Sequence, residues 1–251
     1  MPRINPIQRC RAIGPMRGVS MSAIPHGEVV FDAEGGDTWT APAGVTVATF
    51  EVWSGGAGGA NFAGTTKGGG GGAGGVYARL DNATVVPGRI YNVQVGGGGL
   101  VNVSGEASTV EDSVELVFIC VGANSGGSGG LQPVDDIGGV NDGLESIGDV
   151  VILGGSGGDS TANTIGSAGG GGGGAGSTGA GGAGGAPGVA DPGGAGGAAG
   201  APDGGVGGAG GSLVPAVDGQ NGVAPGGGGG GSDGGGANAG VGASGMVRIT
   251  W

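Results

Sequence analysis

The sequence predicts an all-β protein: a β-sandwich with an inserted glycine-rich bundle of polyglycine-II-like helices, preceded by an extended N-terminal arm. Three observations carry this. Apolar residues alternate between about residues 28 and 121, with turn signals between the runs. Of the 92 residues from 154 to 245, 43 are glycine. The first 27 residues hold Pro2, Pro6, Pro15 and Pro25, at intervals that forbid a long helix.

The arm, "MPRINPIQRCRAIGPMRGVSMSAIPHG" (1 to 27), carries Arg3, Arg9, Arg11 and Arg17, half of the 8 basic residues in a chain of net charge -12. After Arg89 no lysine or arginine appears until Arg248, while 14 acidic residues run from Glu106 to Asp233. A basic arm is thus attached to an acidic body. Such a body repels nucleic acid and anionic membrane. Four arginines spread among prolines and apolar residues suit an acidic protein surface better than nucleic acid. Cys10 and Cys120 imply no disulfide framework. No run of 18 apolar residues exists, so no membrane insertion is expected, and synthesis in a reducing cytoplasm fits.

From 28 to 153 the pattern is that of a sandwich. "VTVATFEVW" (45 to 53) puts Ala48, Phe50 and Val52 on one face. "GVYARL" (75 to 80) does the same with Val76, Ala78 and Leu80, and "GRIYNVQV" (88 to 95) with Tyr91, Val93 and Val95. "SVELVFICV" (113 to 121) is apolar on both faces, as for a strand covered on both sides, and "DVVIL" (149 to 153) is a further short strand. Turns fall at "APAG" and "VPGR". "GMVRITW" (245 to 251) is a last strand, which returns the chain to the sandwich and pins both ends of the glycine-rich region, 154 to 251.

That region admits three readings. Disorder is the first, because ordering ninety residues costs on the order of 100 kcal/mol and few side chains offset it. Collagen is the second: a frame of three runs from Gly179, but Asp191 and Asp203 fall in it, and a triple helix tolerates only glycine at its axis. The third takes the threefold period as left-handed helices of three residues per turn, with bare backbone on two edges. Bare edges approach closely and exchange N–H···O=C bonds, with Cα–H···O contacts added. Alanine, serine, aspartate and proline would then mark edges facing water. Recognition would fall to the loops at the bundle ends, "VPAVDGQNGVAPG" (214 to 226) and "IGGVNDGLESIGD" (137 to 149), with Asp142, Glu145, Val217, Asp218, Gln220 and Asn221 as contact residues.

Catalytic chemistry is not found. His26 is the only histidine, so neither a histidine triad nor a histidine-rich metal site can be assembled. Asp135, Asp136, Asp142, Glu145 and Asp149 offer oxygen ligands of the kind calcium takes, although a solvated polar loop is the plainer reading. "GGSGGDSTA" (154 to 162) fits one calcium-binding nonapeptide without the tandem copies that fold requires. Trp39, Trp53 and Trp251 suit packing better than sugar stacking. No enzyme, cofactor or metal is expected.

"DTWTAPAGVTVATFEVWSGGAGG" (37 to 59), "GGGGGAGGVYARL" (68 to 80), "VVPGRIYNVQVGGGG" (85 to 99) and "GASGMVRITW" (242 to 251) together resemble the glycine-rich domain of bacteriophage tail and tail-fibre proteins, and the glycine stretches resemble those of phage tail-tip adhesins. The resemblance implies a virion component, made in the host cytoplasm, whose loops contact a host cell-surface glycan or protein. Residues 1 to 27 depart from the family domain and would dock on tail or capsid proteins through Arg3, Arg9, Arg11 and Arg17. A homotrimer is expected, since few buried side chains invite stabilisation by partners. A capsid decoration or cement protein is the alternative.

Overall fold

The computed structural model describes residues 26–61, 68–112, 139, 146, 148–160, 166–188, 193–213, 215–234 and 237–251. The expectations for the arm and its arginines, for Cys10 and Cys120, for the strand at 113 to 121, and for Asp135, Asp136, Asp142 and Glu145 lie outside the described residues.

Among those residues the chain forms strands and no helix: β1 (Glu28–Phe31), β2 (Gly35–Thr40), β3 (Val47–Trp53), β4 (Tyr77–Thr84), β5 (Ile90–Val95), β6 (Thr109–Asp112), β7 (Val150–Ile152), β8 (Ser212–Leu213), β9 (Ala216–Val217) and β10 (Met246–Thr250). A 5-stranded sheet has the order β1-β10-β3-β4-β7, and a 3-stranded sheet the order β2-β5-β6. All pairings are antiparallel. The closing strand β10 pairs with both β1 and β3 inside the larger sheet, so the chain does return to the sandwich after the glycine-rich region.

Alternation explains the core. Ala48, Phe50 and Val52 of β3 and Val247 and Ile249 of β10 face Trp39, Tyr91, Val93 and Val110 from the smaller sheet, in one buried cluster. Trp39 is the hub, with ring centroids 5.9 Å from Phe50, 5.5 Å from Tyr91 and 5.5 Å from Trp251. Aromatic pairs at these separations add to the apolar burial, and the tryptophans are packing residues here. A register shift between Ala48 and Phe50 bends β3 against β4.

The glycine stretches leave the strands at one end of this sandwich. Residues 54–60 extend from β3 and 68–76 return to β4. Residues 96–99 extend from β5 and 103–107 return toward β6. Residues 153–160 extend from β7, and the chain then passes back and forth until 238–245 lead into β10. Stretches on both sides of residue 153 share one hydrogen-bond network: Gly169, Gly172 and Ala175 donate to the carbonyls of Gly69, Gly72 and Gly75.

That network turns with a period of three. While every third residue of 168–176 points to 69–75, Gly170, Gly173 and Gly176 donate to Gly185, Gly182 and Gly179, and Ala168, Gly171 and Gly174 donate to Gly211, Gly208 and Gly205. The same stretch accepts from Gly155 and Gly158, from Gly194, Gly197 and Gly200, and from Gly228 and Gly231. It is therefore enclosed by six neighbours. Residues 226–232 are enclosed in the same way, by 169–172, 57–60, 220–223, 69–75, 208–211 and 240–243. Buried main-chain donors and acceptors find partners without a sheet ladder.

Close approach explains the composition. A β-carbon on Gly172 would strike the carbonyl oxygen of Gly155, one on Gly171 that of Gly228, and one on Gly173 that of Ala198. Ala180, Ala183, Ala186, Ala195 and Ala198 are exposed, the edge expected to face water. Ala57, Ala60, Ala73, Ala168 and Ala175 are fully buried instead. Along the contact between 54–60 and 68–76 the Ala57 N–H meets the Ala73 carbonyl and the Ala60 N–H that of Gly70. Yet β-carbons on Gly69, Gly72 and Gly75 would strike the carbonyl oxygens of Ala60, Ala57 and Ser54 there, so the interior accepts methyl groups only at particular positions.

Candidate functional site

The described part of the molecule has two poles. Gly27 exchanges both backbone hydrogen bonds with Trp251, at 2.9 and 3.0 Å, and Glu28 pairs with Thr250. His26 and Trp251 therefore lie at the end of the sandwich farthest from the glycine stretches, beside the turns at 41–46 and 85–89. At the opposite pole lie the turn at 101–102, the hairpin of Ser212–Leu213 with Ala216–Val217, and the turn at 234. Other described bundle turns, 177–179, 201–203 and 224–226, sit at the junction with the sandwich.

The hairpin β8–β9 carries Val217, which is 44% exposed, and opens the stretch that holds the other expected contact residues. Val217, Gln220 and Val223 recur every three residues and are all exposed. Asp218 and Asn221, the other two, also stand three apart, but their side chains have a structural task. Asp218 Oδ1 accepts the Asn238 N–H at 2.8 Å, and Asn221 Oδ1 accepts the Val241 N–H at 3.0 Å. Each oxygen stands in for a backbone carbonyl on the neighbouring stretch. The signal was present in "VDGQNG", where Asp-Gly and Asn-Gly stand three apart, yet the partners Asn238 and Val241 could not be read from it.

A second cluster joins bundle to sandwich. Arg248 on β10 donates to both oxygens of Glu51 on β3 and from Nη2 to Asp203 Oδ2 at 3.2 Å. Asp203 Oδ1 accepts the Ser177 N–H at 2.7 Å, so one carboxylate ties two junction turns together. The guanidinium lies 5.1 Å from the Trp53 ring, which packs on Tyr77 and Ala175. Tyr77 donates its hydroxyl to Glu51 at 2.7 Å. Hydrogen bonding to Glu51 holds the Arg248 pKa above its ordinary value, and burial, reinforced by Glu51, raises that of the Tyr77 hydroxyl. The group is a latch. Sequence reasoning missed it, although Arg248, isolated among acidic residues, was its one visible sign.

Two grooves remain. One of about 440 Å³ crosses the outer face of β2, β5 and β6, between Thr38, Asn92, Gln94 and Glu111. Another of about 450 Å³ lies at the far pole, between His26, Val47, Asn82 and Trp251. Among the described residues no group of three His, Cys, Asp or Glu side chains is placed to hold a metal ion. No helix of the described residues is long and apolar enough to cross a membrane.

A family model described as a glycine-rich domain matches residues 32–251. No curated protein matches the chain.

Proposed function

The chain belongs to the glycine-rich domain family, and from that premise we propose that it is a bacteriophage virion protein, a minor tail, tail-tip or fibre component that presents bundle loops to the host surface. The observation that carries this reading is polarity. Residue 26, where the basic arm joins, and the turns around 212–217 stand at opposite poles, as a part held at one end and displayed at the other requires. The glycine stretches are left-handed helices of three residues per turn, of the polyglycine-II type. The threefold rotation of their hydrogen bonds supports this.

In this reading Val217, Gln220 and the free edges of Asp218 and Asn221 meet a host glycan or protein, residues 1–27 dock on virion proteins, and the assembly is a homotrimer. A rigid bundle suits that task, because loops fixed in advance lose little entropy on binding. The test is adsorption. Purified protein should block phage attachment, and Val217→Asp with Gln220→Ala should abolish the block without lowering stability. Labelled protein found on the head lattice in many copies would favour the decoration alternative and sink the adhesin reading.

A further inference from the structure

We propose that Asn221–Gly222 is a spontaneous deamidation site that the fold holds closed through Val241. It is the only Asn-Gly step in the sequence, and a glycine following asparagine leaves its backbone nitrogen sterically open to attack the side-chain amide. The Gly222 nitrogen gives up its proton and bonds to Asn221 Cγ, and the bond from Cγ to the amide nitrogen breaks, releasing ammonia. Water then opens the cyclic imide at either carbonyl, leaving aspartate or isoaspartate. One water is consumed and one ammonia released.

Val241 holds both reacting groups. Its carbonyl accepts the Gly222 N–H at 3.0 Å, and its N–H donates to Asn221 Oδ1 at 3.0 Å. Attack needs the Gly222 nitrogen deprotonated and the Asn221 side chain turned over it, and each movement breaks one of these bonds. The arrangement is repeated three residues earlier, where Asn238 accepts the Gly219 N–H at 2.8 Å and donates to Asp218 Oδ1 at 2.8 Å. The side chain is exposed, so water reaches it, and only local separation of 219–222 from 238–241 is needed to start the reaction.

The product alters this surface permanently. Either acid adds a negative charge three residues from Asp218. Isoaspartate also inserts a backbone carbon before Gly222, which displaces Val223 from the Val206 carbonyl it meets at 2.9 Å. The loop surface thereby records how long, and how often, the two stretches have come apart.

Incubating the full chain at mildly alkaline pH, with peptide mapping by mass spectrometry and an isoaspartate assay, tests this against a free peptide spanning 216–225. Asn221 in the folded chain should deamidate at least about tenfold more slowly than in the peptide, and the gap should narrow as denaturant is raised below the unfolding transition. Val241→Pro removes the N–H while keeping the carbonyl, and should speed the reaction in protein that circular dichroism shows to be folded. Equal rates in folded chain and peptide overturn the proposal. So does a folded Val241→Pro protein that deamidates no faster.

Discussion

Arg248 grips Glu51 with two hydrogen bonds, Nε to Oε2 at 2.7 Å and Nη2 to Oε1 at 2.8 Å, across residues adjacent in register on β10 and β3. Glu51 is 8% exposed, and its other close partner is the Tyr77 hydroxyl. Because Arg248 also reaches Asp203 at a bundle turn, the same guanidinium that neutralises a buried carboxylate fixes the bundle on the sheet.

Arg248→Met should therefore destabilise the protein by about 3 kcal/mol, because it leaves the Glu51 carboxylate buried without its cation, at the lower end of such losses given the partial exposure of the arginine. Urea unfolding measures it. Amide exchange around 201–211 should also accelerate, since the turn loses its tie to β10. Arg79→Met, at a pair whose side chains are 32% and 38% exposed, should cost less than about 1 kcal/mol. Equal losses from the two substitutions would show that the latch contributes nothing beyond a surface pair.

Tyr77 gives the fold an alkaline limit. Its hydroxyl pKa is raised in the folded state by burial and by Glu51, while the unfolded chain ionises near the ordinary value of about 10. A raised folded pKa contributes stability that is fully present below that value and is lost as pH climbs past it. Unfolding midpoints should fall above about pH 10 in the parent protein. In Tyr77→Phe this residue's share of the fall should vanish, and the loss of about 1.5–3 kcal/mol expected at neutral pH for the hydrogen bond to a charged group should shrink above about pH 10.

The alternation of β3, β5 and β10 and the return of the last strand were legible in the sequence because each is a local pattern with period two. β6 was not: "TVED" is too short and polar to signal a strand, and it is built by pairing with β5. Glycine spacing suggested a threefold period but not which stretches are enclosed, since six-neighbour packing around 168–176 depends on chain order. The water-facing role expected of alanine holds at Ala183 and fails at Ala57, which is fully buried, because which edge of a stretch becomes interior depends on the packing of its neighbours. The structural task of Asp218 and Asn221 was invisible because their partners lie 20 residues away.

Single methyl groups should separate interior from rim. Gly172→Ala places a β-carbon against the Gly155 carbonyl, and backbone in a packed bundle cannot move aside as a side chain would. A loss of about 3 kcal/mol or more is expected, at or beyond the upper range for overpacking. In Gly179→Ala the nearest atom to the new carbon is the Ala201 nitrogen at 3.5 Å, an ordinary contact. That substitution should be neutral or stabilise by about 0.4–1 kcal/mol, because it restricts the unfolded chain. Thermal melts of the two variants decide whether close approach, rather than glycine content as such, holds the bundle together.

The strongest demand falls on amide exchange. Each residue of 168–176 donates its N–H to a neighbouring stretch, so exposing any one of them requires lifting the stretch from at least one neighbour, and its only side chains, the methyls of Ala168 and Ala175, offer little apolar surface to hold an opened form together. These amides, with those of 226–232, should exchange among the slowest in the protein, comparable with β3. Those of the hairpin at 212–217, which is paired only to itself in a 2-stranded sheet, should exchange fastest. Hydrogen–deuterium exchange with residue-level fragmentation reads this directly. Uniformly rapid exchange across 168–176 and 226–232 would mean that main-chain hydrogen bonds do not make the bundle rigid, and a flexible bundle could not hold Val217 and Gln220 in a fixed arrangement for a partner.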